Sequence, residues 1–259
     1  RLYAVQVRHS GLRLQSATNG TGINIGFGDT EGKTVAFSPD SSLLLTCYSD
    51  DQWREPCLWS AVDGSLVRTF VGHTGDVDSA VFSPDGQLMA SGGVTSVDPT
   101  LRIWNVSDGN LVRLWIPHPE SENGMVTLGF CREGNLIASS DGYHVRFWRV
   151  QDGGLVISYE QDTYGTGSIA FSSDGKHFAY GTSEGSVTLA RTPLYISGVR
   201  QTNGQQVINW QGGSGLYQVQ QRTNLTSGAW ENLGSPTQTT SATNSSQGTT
   251  FFRVLSLPN

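Results

Sequence analysis

The sequence predicts an all-β chain: repeated four-stranded antiparallel units over residues 1–192, then a small β-sandwich over residues 193–259. Three observations carry this. A turn motif recurs as Phe37-Ser38-Pro39-Asp40-Ser41, Phe82-Ser83-Pro84-Asp85-Gly86, Phe130-Cys131-Arg132-Glu133-Gly134 and Phe171-Ser172-Ser173-Asp174-Gly175, its phenylalanines 45, 48 and 41 residues apart. A period of that length marks stacked repeats. The composition, with 36% hydrophobic residues and 32 glycines in 259, suits short strands joined by turns. The charge also shifts near Pro193: residues 1–192 hold 13 basic and 21 acidic side chains, residues 193–259 three and one.

Each unit repeats one order of signals. A β-prone run such as Val77-Asp78-Ser79-Ala80-Val81 leads into the phenylalanine, and the Pro-Asp-Gly turn follows. A second apolar run comes next: Leu43-Leu44-Leu45, Leu88-Met89-Ala90, Leu136-Ile137-Ala138 and His177-Phe178-Ala179. The third strand is Cys57-Leu58-Trp59, Leu101-Arg102-Ile103-Trp104 or Val145-Arg146-Phe147-Trp148; the fourth is Leu66 to Phe70 or Leu111 to Trp115. Gly at the turns supplies positive φ, and Asp bonds its own backbone. Four antiparallel strands in roughly 40–45 residues is the arithmetic of a β-propeller blade. The units are a partial blade over 1–26 and blades over about 27–70, 71–115, 116–159 and 160–192.

Gly72-His73, the Ser83-Pro84-Asp85-Gly86 turn, Ser91, Asp98 and Leu101-Arg102-Ile103-Trp104 resemble, in order and spacing, the repeat signature of the WD-repeat β-propeller family. The resemblance implies a hydrogen-bonded network of His73, Ser91, Asp98 and Trp104 inside the blade. A buried imidazole and indole need partners, and such a network fixes one strand register. The next blade could use His118, Ser139 and Asp141, with extra residues between His118 and its strand. The first complete unit lacks the Gly-His pair, and the last carries Ala190 in place of Trp. Arg1 to Val5 aligns with Arg102 to Val106, so the chain is expected to begin at a blade's third strand. The last unit is expected to stop at its own third strand, Val187 to Arg191. The ring is therefore expected to be incomplete, with further blades from the same precursor or another chain.

In the tail, Val207–Trp210, Leu216–Gln220 and Phe251–Leu255 read as strands. Trp210, Tyr217, Val219, Trp230, Leu233, Phe252 and Val254 are the expected core. The Asn224-Leu225…Trp230…Leu233 and Phe251-Phe252-Arg253-Val254 segments resemble short fibronectin type III-like modules at the C-termini of secreted bacterial proteins. That resemblance implies an extracellular or cell-surface setting; a cytoplasmic one is the alternative.

A net charge of −6 argues against general affinity for nucleic acid, and no apolar run is long enough to span a membrane. His9, His73, His118, His144 and His177 show no metal-ligand spacing, so no metal and no cofactor is expected. A Ser-His-Asp triad could be drawn through Ser91, His73 and Asp98, but the blade network accounts for the same residues, and no enzyme is expected. Asp40, Asp85, Glu133 and Asp174 sit at turn positions, which explains them without calcium. Cys47 and Cys57 fall on neighbouring strands, where a disulfide is conceivable, but the expected reading is three buried thiols with Cys131.

The expected function is display: rigid blades hold loops for a protein partner, with homo- or hetero-oligomers open. The long turn at Trp53 and Arg54 pairs residues enriched at binding hot spots; Trp53 covering its own blade's apolar edge is an equal reading. Lys33 and Asp78, His118 to Glu122 in the long connection, and Tyr143 with His144 are further candidates on the same face, where aromatic and acidic groups around an opening could also hold a sugar or a small cation. The alternative is a propeller enzyme or carbohydrate-binding lectin whose site is completed by blades absent from this chain.

Overall fold

The computed structural model describes residues 2–7, 11–16, 22–25, 32–48, 55–93, 97–121, 127–160, 168–181, 185–202, 205–212, 216–224, 229–245 and 250–257. Among them are 24 strands and no helix. Two compact units emerge, one of residues 1–171 with 179–188, the other of residues 172–178 with 189–259.

In the first unit, β1 (Leu2–Val7), β2 (Gly11–Ser16) and β3 (Gly22–Ile25) form a three-stranded antiparallel sheet. Three four-stranded antiparallel meanders follow. They are β4 (Gly32–Phe37), β5 (Leu43–Tyr48), β6 (Cys57–Ser60) and β7 (Leu66–Thr69); β8 (Val77–Phe82), β9 (Leu88–Gly93), β10 (Leu101–Asn105) and β11 (Leu111–Trp115); and β12 (Thr127–Phe130), β13 (Leu136–Ser140), β14 (His144–Arg149) and β15 (Leu155–Glu160). The sheet β16 (Ile169–Phe171), β17 (His177–Gly181) and β18 (Val187–Arg191) comes next, and the division between the units runs through it.

The first strands of successive sheets adjoin, β4 with β8, β8 with β12 and β12 with β16. The core lies between the sheets. Leu45, Leu58 and Phe70 of one blade pack with Val77, Ala80, Met89 and Trp104 of the next, and Ala90, Leu101 and Ile103 with Leu128, Ile137 and Trp148. Middle strands therefore bury both faces, which is why their sequences are continuous apolar or small runs. All five residues of β13 are buried, whereas Leu111, Val112 and Leu114 on outer strand β11 are 42–50% exposed.

The recurring turn has one device. The hydroxyl of Ser38, Ser83 or Ser172 donates to Asp40, Asp85 or Asp174 at 2.6 Å in each case. The same oxygen accepts the N–H of Leu43 (2.9 Å), Leu88 (2.9 Å) or His177 (3.0 Å). These bonds hold all three carboxyls below their usual range, Asp40 at about 2. In the fourth copy Cys131 stands for Ser, and Leu136 N–H reaches its Sγ at 3.3 Å. Ser41 occupies the glycine position with φ 62°, against 71–72° at Gly86, Gly134 and Gly175.

One expectation needs correction. Arg1 to Val5, expected as a blade's third strand, leaves room for one more strand in residues 1–26, but three are present, with β2 between β1 and β3 and its Leu12 and Leu14 buried against Leu44 and Trp59. Cys47, Cys57 and Cys131 are three buried free thiols, as expected.

In the second unit, β19 (Tyr195–Thr202) and β20 (Gln205–Gln211) are followed by β21 (Tyr217–Arg222), β22 (Glu231–Asn232), β23 (Ser241–Asn244) and β24 (Phe251–Ser256). They make two three-stranded sheets, β19-β20-β23 and β22-β21-β24. One core joins Ile208, Trp210, Tyr217 and Val219, with Leu233, Phe252 and Val254 against it. Trp230 does not belong to that core. It is partly exposed, with the guanidinium groups of Arg222 and Arg253 at 4.4 and 4.6 Å from its ring, a cation–π arrangement.

Candidate functional site

The polar interior of the blades is built where the loop before β8 or β12 meets the turn between the second and third strands. In the β8–β11 blade, Trp104 Nε1 donates to Ser91 Oγ at 2.8 Å. Ser91 Oγ lies 2.7 Å from His73 Nε2, and His73 Nδ1 lies 2.8 Å from Asp98 Oδ2. Asp98 also accepts the Thr74 N–H (2.7 Å), the Thr100 hydroxyl and Arg102 Nη2 (3.3 Å). Burial opposes the charge on Asp98, but its Thr100, Thr74 and His73 bonds prevail and hold its carboxyl below the usual range. Burial lowers the pKa of His73, against the pull of Asp98.

The β12–β15 blade starts from the same parts. Trp148 Nε1 donates to Ser139 Oγ at 2.9 Å, and Ser139 Oγ lies 2.8 Å from His118 Nε2. There the likeness ends. His118 Nδ1 is 3.5 Å from Asp141 Oδ2 and is buried without a hydrogen-bond partner among the described residues. Asp141 turns instead to its own loop, accepting the N–H groups of Tyr143 (2.9 Å) and His144 (2.7 Å), with His144 Nδ1 3.1 Å from Oδ2. Glu120 Oε1 approaches His144 Nδ1 at 3.6 Å and pairs with Arg146, whose Nη1 donates to Pro117 O at 2.8 Å.

Burial pushes the His118 pKa down to about 4, leaving a neutral imidazole at neutral pH. Burial also works against the charge of Glu120 and Asp141; the Arg146 bond and the His144 N–H respectively overcome it, and both carboxyls lie below their usual range. Among the described residues of the β4–β7 blade, Trp59 Nε1 donates to Thr46 Oγ1 at 2.8 Å.

Residues 30–54 and 64–105 match the family WD domain, G-beta repeat. The matched residues fall in the β4–β7 and β8–β11 blades. The periodic tryptophan protein 2 homolog of Schizosaccharomyces pombe is 34% identical over 116 residues, 44% of this chain and 13% of the relative. The guanine nucleotide-binding protein subunit beta of Arabidopsis thaliana is 32% identical over 135 residues, 48% of this chain and 34% of the relative. A WD repeat-containing protein of Synechocystis is 33% identical over 60 residues, 23% of this chain and 17% of the relative. The chain thus spans 13–34% of the length of these relatives.

Within the blades, the surface candidates fall in three groups. Trp53 and Arg54 lie outside the described residues. Lys33, placed by its backbone only, and Asp78 are the extra residues of two equivalent β-bulges, on β4 between Gly32 and Thr34 and on β8 between Val77 and Ser79. A bulge of this kind re-aims a side chain at a sheet's rim, and the Asp78 carbonyl accepts the Thr34 hydroxyl at 2.6 Å. Tyr143 and His144 lie at the β13–β14 turn, Tyr143 42% exposed.

The fold gathers what the histidine spacing does not show: donor atoms of His118, Glu120, Asp141 and His144 all within 4.8 Å of one another. One signal for it was present. Four residues before the blade tryptophan, the β8–β11 blade has Thr100 and the β12–β15 blade has His144.

Proposed function

We propose that the chain is a non-catalytic scaffold that presents the loops at one rim of its WD blades to a protein partner. WD repeat proteins act as protein-interaction scaffolds, and a relative reported above is, by its name, one subunit of a guanine nucleotide-binding protein. The observation that carries the reading is the His73–Asp98–Ser91–Trp104 network. It ties the loop at Thr74 and the turn at Asp98 to the interior of the sheet, so little ordering entropy opposes binding there. Lys33, Asp78, Tyr143, Trp53 and Arg54 are the proposed contacts.

A photo-crosslinking residue at position 143 should capture one reproducible partner, and Trp53→Ala with Arg54→Ala should weaken that capture. The same probe at Val112, exposed on outer strand β11, should capture none. Equal capture from both positions would defeat the assignment.

Three finer readings accompany this one. Residues 193–259 are proposed as a fibronectin type III-like spacer, a reading supported by two small sheets sharing one core. A charge-poor surface of Ser, Thr, Gln and Asn supports an extracellular or cell-surface setting. Val187 and Leu189 on β18, each 71% exposed, support further strands or blades from the same precursor or another chain. Native mass of the purified full-length protein tests that last reading: a monomer with four blades would contradict it.

A further inference from the structure

We propose that His118, Glu120, Asp141 and His144 form a binding site for one divalent transition-metal ion of the zinc type. The donor set is mixed, two imidazoles and two carboxylates, which is a zinc-competent combination. A tetrahedral ion with ligand bonds of about 2.1 Å holds its ligand atoms about 3.4 Å apart. Here His144 Nδ1 and Asp141 Oδ2 are 3.1 Å apart, His118 Nδ1 and Asp141 Oδ2 3.5 Å, and His144 Nδ1 and Glu120 Oε1 3.6 Å. The remaining pairs close from no more than 4.8 Å.

The second observation is His118 itself. The residue is 3% exposed, and its Nδ1 faces the cluster without a hydrogen-bond partner. In the neighbouring blade the corresponding Nδ1 of His73 is bonded to Asp98 at 2.8 Å, so this open nitrogen is no general property of the WD interior. With Nε2–H donated to Ser139 Oγ, the Nδ1 lone pair points toward a carboxylate oxygen. Two acceptors facing each other leave a place for a cation. Ser139 has two acceptor lone pairs, one for Trp148 Nε1–H and one for His118 Nε2–H. It would fix the ring as outer partners of metal-bound histidines do.

Arg146 pairs with Glu120 and competes with the ion for that carboxylate. Metal would therefore exchange an arginine pairing for a clamp between the connection at His118–Glu120 and the turn at Asp141–His144. This site stands independently of the partner proposed above.

The test uses the full chain, freed of metal by chelator and of any affinity tag. Zn²⁺ is titrated by calorimetry, and Co²⁺ by visible absorption. One ion per chain is expected, with the d–d bands of a four-coordinate nitrogen and oxygen site. His144→Thr, which installs the residue of the neighbouring blade, should weaken Zn²⁺ about a hundredfold or more, and Ser139→Ala about tenfold. Zn²⁺ should raise the melting temperature of the wild type and not that of His144→Thr. If His144→Thr does not fold, Glu120→Gln, whose side chain is 43% exposed, takes its place. No stoichiometric binding to the wild type, or unchanged affinity in the folded variant, would overturn the proposal.

Discussion

In the β8–β11 blade His73 is bonded at both ring nitrogens, whereas in the β12–β15 blade His118 is bonded at one. Both blades keep the Trp–Ser–His half of the network, which lies deep between packed sheets. They part at the carboxylate. Asp98 faces inward to His73 and collects Thr74, Thr100 and Arg102; Asp141 is drawn to the N–H groups of Tyr143 and His144. Four residues before the blade tryptophan, a hydroxyl residue accompanies the closed network and an imidazole accompanies the open one. The first arrangement fixes loops, and the second leaves a buried nitrogen with unspent bonding capacity.

The largest test of this difference is removal of each carboxylate. Asp98→Ala strands His73, the Thr74 N–H and Arg102, and should cost about 3 kcal/mol or more in denaturant unfolding. Asp141→Ala leaves the already open His118 as it was and should cost about 1–2 kcal/mol. Equal losses would remove the distinction.

Acid should act next. A histidine whose folded pKa is depressed stays neutral in the fold but charges in the unfolded chain. The stability it contributes is full above about 6.5 and is lost as pH falls toward the His118 value of about 4. That loss is on the order of 3 kcal/mol. Asp141 and Glu120, with lowered pKa values, add losses at still lower pH. Unfolding midpoints taken between pH 7.5 and 4 should fall, and fall less steeply in His118→Gln; an unchanged slope in that variant would contradict the assignment.

How much of this was legible follows the physics of each feature. The blades could be read because their turns are local: Ser, Pro, Asp and Gly act on neighbours within five residues, and the phenylalanine period repeats that signal. The His73 network could be read because it follows a family signature. The geometry of the cluster at His118 could not, because it depends on the connection carrying His118 and Glu120 meeting the turn carrying Asp141 and His144, and pairwise spacing does not encode that meeting. Trp230 misled for a related reason: an aromatic between strands looks like core until two arginines are found stacked on it. The place of Arg1 to Val5 within its sheet is not legible, because an alternating run without a tryptophan carries no mark of which place it fills.

Smaller effects sharpen the comparison at the turns. Cys131→Ser with Glu133→Asp restores the hydroxyl device of the other three copies and should stabilise the β12–β15 blade by about 1 kcal/mol. Ser41→Gly relieves a left-handed residue and should stabilise by up to about 1 kcal/mol. Melting temperatures of these variants check both; a loss in either would show that the turn is held by contacts other than those described.

The most direct measurement is a pair of double-mutant cycles in the presence of chelator, His73→Gln with Asp98→Asn against His118→Gln with Asp141→Asn. The closed network predicts a coupling of about 1.5–3 kcal/mol for the first pair, and the open one less than about 0.5 kcal/mol for the second. Equal couplings would contradict the account, because His118 and Asp141 would then be bonded as His73 and Asp98 are.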